Sequence, residues 1–272
     1  MVHQVEFLLR GNLLPPLISK LQVSERLIIE NVLGPIEFSI PRESDSFAIA
    51  YVGLEDESHF FLDATTYIDF FLLIHALTHN IVVTHYKGIA FEISTLNDLG
   101  KKKVSFRKFE KVNILKEDLQ CELSKIILLT KERFLEFEKD TEKIMGEYLG
   151  LALRYHFFAL QAYNRRHFDE VVLNLVIAAE ALFSTGKSHK YNLKRRFSNF
   201  IANDETEIYE IEKTISNFYD LRSAIVNGGK KKITFNDVKI PSIYIQKAIE
   251  KSLSSRLYLK EELLKVTDIE SE

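Results

Sequence analysis

The stretch Tyr219-Asp220-Leu221-Arg222-Ser223-Ala224-Ile225-Val226-Asn227-Gly228-Gly229 closes a helix and carries the most informative side chains of the chain. The helical pattern opens at Glu205, and Ile208, Ile211, Ile215, Phe218 and Ile225 share one of its faces. Asn227-Gly228-Gly229 stops it, because glycine readily takes the left-handed conformation that ends a helix. Tyr219 and Arg222 stand three residues apart and are neighbours along the edge of the apolar stripe. An arginine in that position can turn its planar fork to a phosphate. It can equally pair with an acid of a neighbouring helix, Glu180 being the candidate.

Outward from this helix the pattern stays helical. Lys116 to Lys139 has Leu119, Leu123, Phe134 and Phe137 on one side, and Thr141 to Tyr163 follows with Thr141 as its N-cap. Further helices are expected from His167 to about Phe183, from Tyr191 to Ala202, and from near Pro241 to about Leu264, proline being a favourable first-turn residue. Before residue 112 the periodicity differs. Val5–Leu9, Leu27–Asn31, Ile36–Ile40, Phe47–Val52, Ile81–His85 and Ile89–Ile93 read as strands. The last two are joined by Tyr86-Lys87-Gly88 as a hairpin turn, and a helix runs from Ala64 to His79. The expected architecture is therefore an α+β amino-terminal domain, residues 1–112, followed by an all-α domain, residues 113–272.

Three segments of the helical half resemble the HEPN superfamily, in particular its Apea-like branch. They are the closing helix from Tyr219 to Gly229, Val176-Ile177-Ala178-Ala179-Glu180-Ala181-Leu182-Phe183, and Leu193-Lys194-Arg195-Arg196-Phe197. The resemblance covers about residues 140–264 and implies a HEPN-like helical bundle. Such bundles occur in toxin–antitoxin, abortive-infection and CRISPR-associated systems, and many are metal-independent endoribonucleases whose motif is Arg, four to six residues, then His. By resemblance, Arg222 would grip the scissile phosphate. Asn227 stands where the family has its histidine, and an amide cannot act as general acid or base near neutrality. The implied function is RNA binding in a defence or antitoxin-linked system, as a cytoplasmic homodimer, with a degenerate ribonuclease site. Tyr219, Arg195, Arg196, Lys230 and Lys231 would contact RNA, with Glu180 in support. The alternatives are an active metal-independent endoribonuclease using another base, and a non-catalytic protein-interaction scaffold. His167 and His189 are the residues available as a substitute base.

Composition bounds these readings. With 272 residues, 46% hydrophobic and 28% charged, the chain can bury a substantial core and is neither disordered nor collagen-like. A net charge of -3 excludes a uniformly basic nucleic-acid binder. Residues 186–232 nevertheless hold ten basic residues against six acidic ones, a local charge of +4. The single cysteine, Cys121, cannot form an internal disulfide. Glu6, Arg10 and Pro15-Pro16 interrupt any leader-like apolar run, and the most apolar stretch, Ile68–Leu77, falls short of the ~20 residues that cross a bilayer. His75, His79 and His85 have the spacing of a three-histidine zinc site, yet Ala76 replaces the glutamate of a HExxH helix, so neither metal nor cofactor is expected. No phosphate-loop, dinucleotide-binding or nucleophile-elbow motif is present.

Overall fold

The computed structural model describes residues 3–10, 20–31, 46–53, 57–79, 84–95, 98–105, 123–185, 189–229 and 232–268. The expected strand Ile36–Ile40, Cys121, Lys230 and Lys231 lie outside them. The chain divides into two compact units, Met1–Glu142 and Lys143–Glu272.

Among the described residues the first unit holds an antiparallel six-stranded sheet, in the order β2-β3-β4-β1-β5-β6. Its strands are β1 (His3–Arg10), β2 (Lys20–Gln22), β3 (Leu27–Asn31), β4 (Ser46–Gly53), β5 (Thr84–Thr95) and β6 (Asp98–Ser105). Helix α1 (Glu57–His79) packs against β4 and β1, and α2 (Leu123–Phe137) packs against α1. Phe134 of α2 meets Phe70 and Phe71 of α1 with ring centroids 5.8 and 5.5 Å apart. All three rings are fully buried, so α2 completes the core of this unit. The boundary therefore falls at Glu142/Lys143 rather than at 112/113. An amphipathic helix announces its apolar face but not the partner that covers it.

The expected hairpin at Tyr86-Lys87-Gly88 is not formed, because Thr84–Thr95 is one strand. Phe7 pairs with Ala90 and Leu9 with His85, so Tyr86 to Ile89 stand opposite Leu8 alone. The glycine serves a wide irregularity in a continuous strand, a use that turn chemistry alone does not separate from a hairpin.

The second unit is helical: α3 (Thr141–Gly146) enters it, followed by α4 (Tyr148–Asn164), α5 (Phe168–Phe183), α6 (His189–Ile201), α7 (Glu205–Val226), α8 (Phe235–Ser254) and α9 (Lys260–Thr267). Helix α5 is central and touches α4, α6, α7, α8 and α9. Its apolar residues run almost all the way round, as a helix enclosed by others requires, with Val172, Leu175, Ala178, Leu182 and Phe183 fully buried.

Three boundaries differ from the sequence reading. The helix expected over Thr141–Tyr163 breaks at Glu147, whose backbone is extended. A Cβ on Gly150 would lie 2.7 Å from the Ile144 carbonyl oxygen and the Met145 Cα, so this glycine lets α3 lie against the start of α4. Thr141 does not cap; it is the first residue of α3 and is buried, its hydroxyl without a hydrogen-bond partner among the described residues. Helix α8 starts at Phe235 with Pro241 inside it, because Thr234 and Asp237 cap its first turn: the Thr234 N–H and hydroxyl donate to Asp237 Oδ2 at 2.9 and 2.7 Å. The last helix is in fact two, separated by Arg256 in the left-handed region at φ 53°. Arg166 ends α4 in the same way at φ 61°.

Candidate nucleic-acid interface

Helix α7 begins where Asp204 Oδ1 accepts the Glu207 N–H at 2.8 Å, and it ends in a cap made wholly of backbone. The Gly229 N–H donates to the Ala224 carbonyl at 2.7 Å and the Gly228 N–H to the Ile225 carbonyl at 3.1 Å. Gly228 takes φ 74°, which completes a Schellman motif. Asn227 caps through its backbone, its N–H donating to the Ser223 carbonyl at 3.1 Å. Its side chain is exposed and makes no hydrogen bond among the described residues.

Glu180 is the only charged residue of α5 beyond its first turn, and a carboxylate in such an apolar helix needs a partner. The partner is Tyr219, whose hydroxyl donates to Glu180 Oε1 at 2.9 Å. Burial, then this bond and the carboxylate charge, push the Tyr219 phenol up, against a smaller opposing effect of Arg222. The guanidinium carbon of Arg222 lies 5.8 Å from the centre of the Tyr219 ring, a cation–π contact. Arg222 is partly exposed and makes no ion pair or side-chain hydrogen bond among the described residues. The pairing of Arg222 with Glu180 that the sequence left open is therefore not the one adopted.

Glu180, Tyr219 and Arg222 thus form one constellation across α5 and α7. Asn227 lies about 7.5 Å further along the helix axis and roughly 140° around it. A ligand would touch both Arg222 and Asn227 only by crossing the helix end.

The other expected contacts separate. Arg195 is exposed on α6 and its side chain is unpaired among the described residues. Arg196 is engaged within the helical unit. Its Nε and Nη2 donate to the two carboxylate oxygens of Asp268 at 2.6 and 3.0 Å. Its Nη1 donates to the Phe183 carbonyl at 3.1 Å and to the Thr185 hydroxyl at 2.6 Å. Lys190 pairs with Asp220 at 2.5 Å and Lys194 with Glu212 at 3.4 Å, so much of the local positive charge is neutralised by acids of α7. Exposed His167 precedes α5 and faces Glu170 at 3.3 Å; the His189 side chain lies outside the described residues.

His75 and His79 converge on one hydroxyl. Thr130 Oγ1 lies 3.0 Å from His75 Nδ1 and 3.1 Å from His79 Nε2. Burial, and then the neighbouring His79, lower the His75 pKa to about 3. Among the described residues no group of three or more His, Cys, Asp or Glu side chains could hold a metal.

The sequence reading missed a cleft of about 580 Å³ between α7 and the start of α8, lined by Asn217, Leu221, Ala224, Asn236, Ile240 and Pro241 among others. Its α7 residues recur on the flank away from Tyr219 and Arg222. No single residue there stands out in the sequence; the signal is only the spacing of Thr214, Asn217, Leu221 and Ala224.

At the edge of the helical unit Arg222 rests on the Tyr219 ring and, among the described residues, makes no ion pair, so its guanidinium donors are open to an anion. No family model, curated protein or solved structure matches the chain. Among the described residues no helix is long and apolar enough to cross a membrane.

Proposed function

We propose that the helical unit is a HEPN-like RNA-binding module of a defence or toxin–antitoxin-like system, with a ribonuclease site that has lost its proton-transfer group. The observation that carries this reading is Arg222, held over Tyr219 and left without an anionic partner. Free arginine forks of this kind suit a phosphodiester. Asn227 can hydrogen-bond to the same backbone but supplies no base, and that loss removes about 10²–10⁴ in rate. Arg195, Lys213 and Lys232 are the further exposed cations of residues 186–232 among the described residues; Lys230 and Lys231 join Arg195 as expected contacts from the sequence alone.

A cleavage and binding assay in EDTA on single-stranded RNA tests the proposal. The wild type is expected to bind with little cleavage, Arg222→Ala to bind more weakly, and Asn227→His to cleave. Wild-type cleavage abolished by Arg222→Ala would establish an active ribonuclease with another base. Absence of binding by every protein would leave the scaffold reading. A homodimer is part of the proposal, because two such edges facing one cleft double the phosphate contacts; a monomer by light scattering at high micromolar concentration refutes it.

A further inference from the structure

We infer that Tyr219 is a positioning residue that keeps Arg222 available, its hydroxyl occupying the Glu180 carboxylate while its ring seats the guanidinium. The inference rests on the reading of Arg222 as a phosphate ligand. Glu180, Tyr219 and Arg222 meet at the packing of α5 on α7, and the acid and the base do not pair with each other. That outcome needs a cause, since a partly buried carboxylate near an arginine gains most from a bidentate guanidinium bond. The cause is the phenol. It satisfies Oε1 of Glu180 at 2.9 Å and presents its ring at 5.8 Å to Arg222, so acid and base bind different parts of one side chain. The raised pKa of Tyr219 keeps its hydroxyl protonated, hence a donor, across the physiological range.

Removing only the hydroxyl should therefore let the acid capture the base. In Tyr219→Phe the ring remains, but Glu180 loses its donor, and a partly buried carboxylate left unsatisfied is costly enough to recruit the nearest cation. Arg222 is that cation on α7, and once forked onto Glu180 it no longer offers its donors to a phosphate. Glu180→Gln removes the charge at nearly constant volume and abolishes the competition.

The experiment uses the full chain and a short fluorescein-labelled single-stranded oligouridylate, followed by anisotropy at one fixed salt concentration. Arg222→Ala should weaken binding about tenfold or more. Tyr219→Phe should weaken it nearly as much, with an unchanged circular-dichroism spectrum. Tyr219→Phe combined with Glu180→Gln should return to within about twofold of the wild type, a rescue that a packing role of the tyrosine does not produce. Wild-type affinity in Tyr219→Phe, with Arg222→Ala impaired, overturns the positioning role and leaves the phosphate reading standing. Equal weakness of the single and double variants overturns it too. Wild-type affinity in Arg222→Ala overturns the phosphate reading itself.

Discussion

His156 of α4 is 1% exposed, and among the described residues neither of its ring nitrogens has a hydrogen-bond partner. Burial alone lowers its pKa from 6.5 to about 4. Above pH 6.5 the residue is neutral in both folded and unfolded chains and stability does not depend on it. As the pH falls below 6.5 the unfolded chain takes up a proton that the folded one refuses, so stability drops until the folded pKa is reached. The interval of 6.5 to about 4 corresponds to roughly 3 kcal/mol in all, with about 2 kcal/mol already lost at pH 5. The perturbation is His156→Leu, which has a similar volume and no nitrogen to leave unpaired. At pH 8 it should be more stable than the wild type by about 1 kcal/mol, since the imidazole hides a donor and an acceptor there. At pH 5 the gap should widen to about 3 kcal/mol. Guanidinium unfolding followed by circular dichroism measures both values, and hydrogen exchange of the α4 and α5 amides assigns the effect to the helical unit. The buried His75 of the other unit is common to both proteins and cancels in the difference. An equal gap at pH 8 and pH 5 would refute the reasoning, because it would mean the folded chain accepts the proton as readily as the unfolded one.

Three further outcomes are expected. Arg166 sits at φ 61° with an exposed side chain, so Arg166→Gly should raise the stability of the helical unit by about 0.5–1 kcal/mol in the same unfolding assay. Arg196→Ala should cost about 2 kcal/mol, chiefly through the Phe183 carbonyl and Thr185 hydroxyl it leaves behind, while oligonucleotide affinity stays unchanged; Arg195→Ala should show the converse in the paired anisotropy and melting experiments.

The bounds of α7 were legible from Glu205 to Val226 because both ends carry local signals, an Asp that caps and a glycine pair that stops. The break between α3 and α4 was not, since the role of Gly150 depends on how closely Met145 approaches it in space. The end of α8 was hidden for a related reason: Arg256 does there what glycine ordinarily does. Apolar spacing placed Phe134 and Phe137 on one face of α2 yet could not say that Phe70 and Phe71 would meet it. At the candidate site, adjacency of Tyr219 and Arg222 followed from a spacing of three, and Glu180 was the candidate acid of a neighbouring helix, though its bond to the phenol was not legible. The fate of Arg196 could not be read, because Asp268 lies 72 residues away and a basic run looks the same whether solvated or forked onto a distant acid.

The cap of α7 is built from backbone groups of Ser223, Ala224, Ile225, Asn227, Gly228 and Gly229, and the Asn227 side chain takes no part in it. Position 227 is therefore open to replacement without cost to the helix. In the genetic code an asparagine codon becomes a histidine codon by one change at its first base. Within the proposed role, a lineage carrying this chain could gain or lose a proton-transfer group by a single nucleotide, in either direction and with the fold indifferent to the exchange. A silent binder and a cutter would then be neighbouring alleles, separated by selection on toxicity rather than by any barrier in folding.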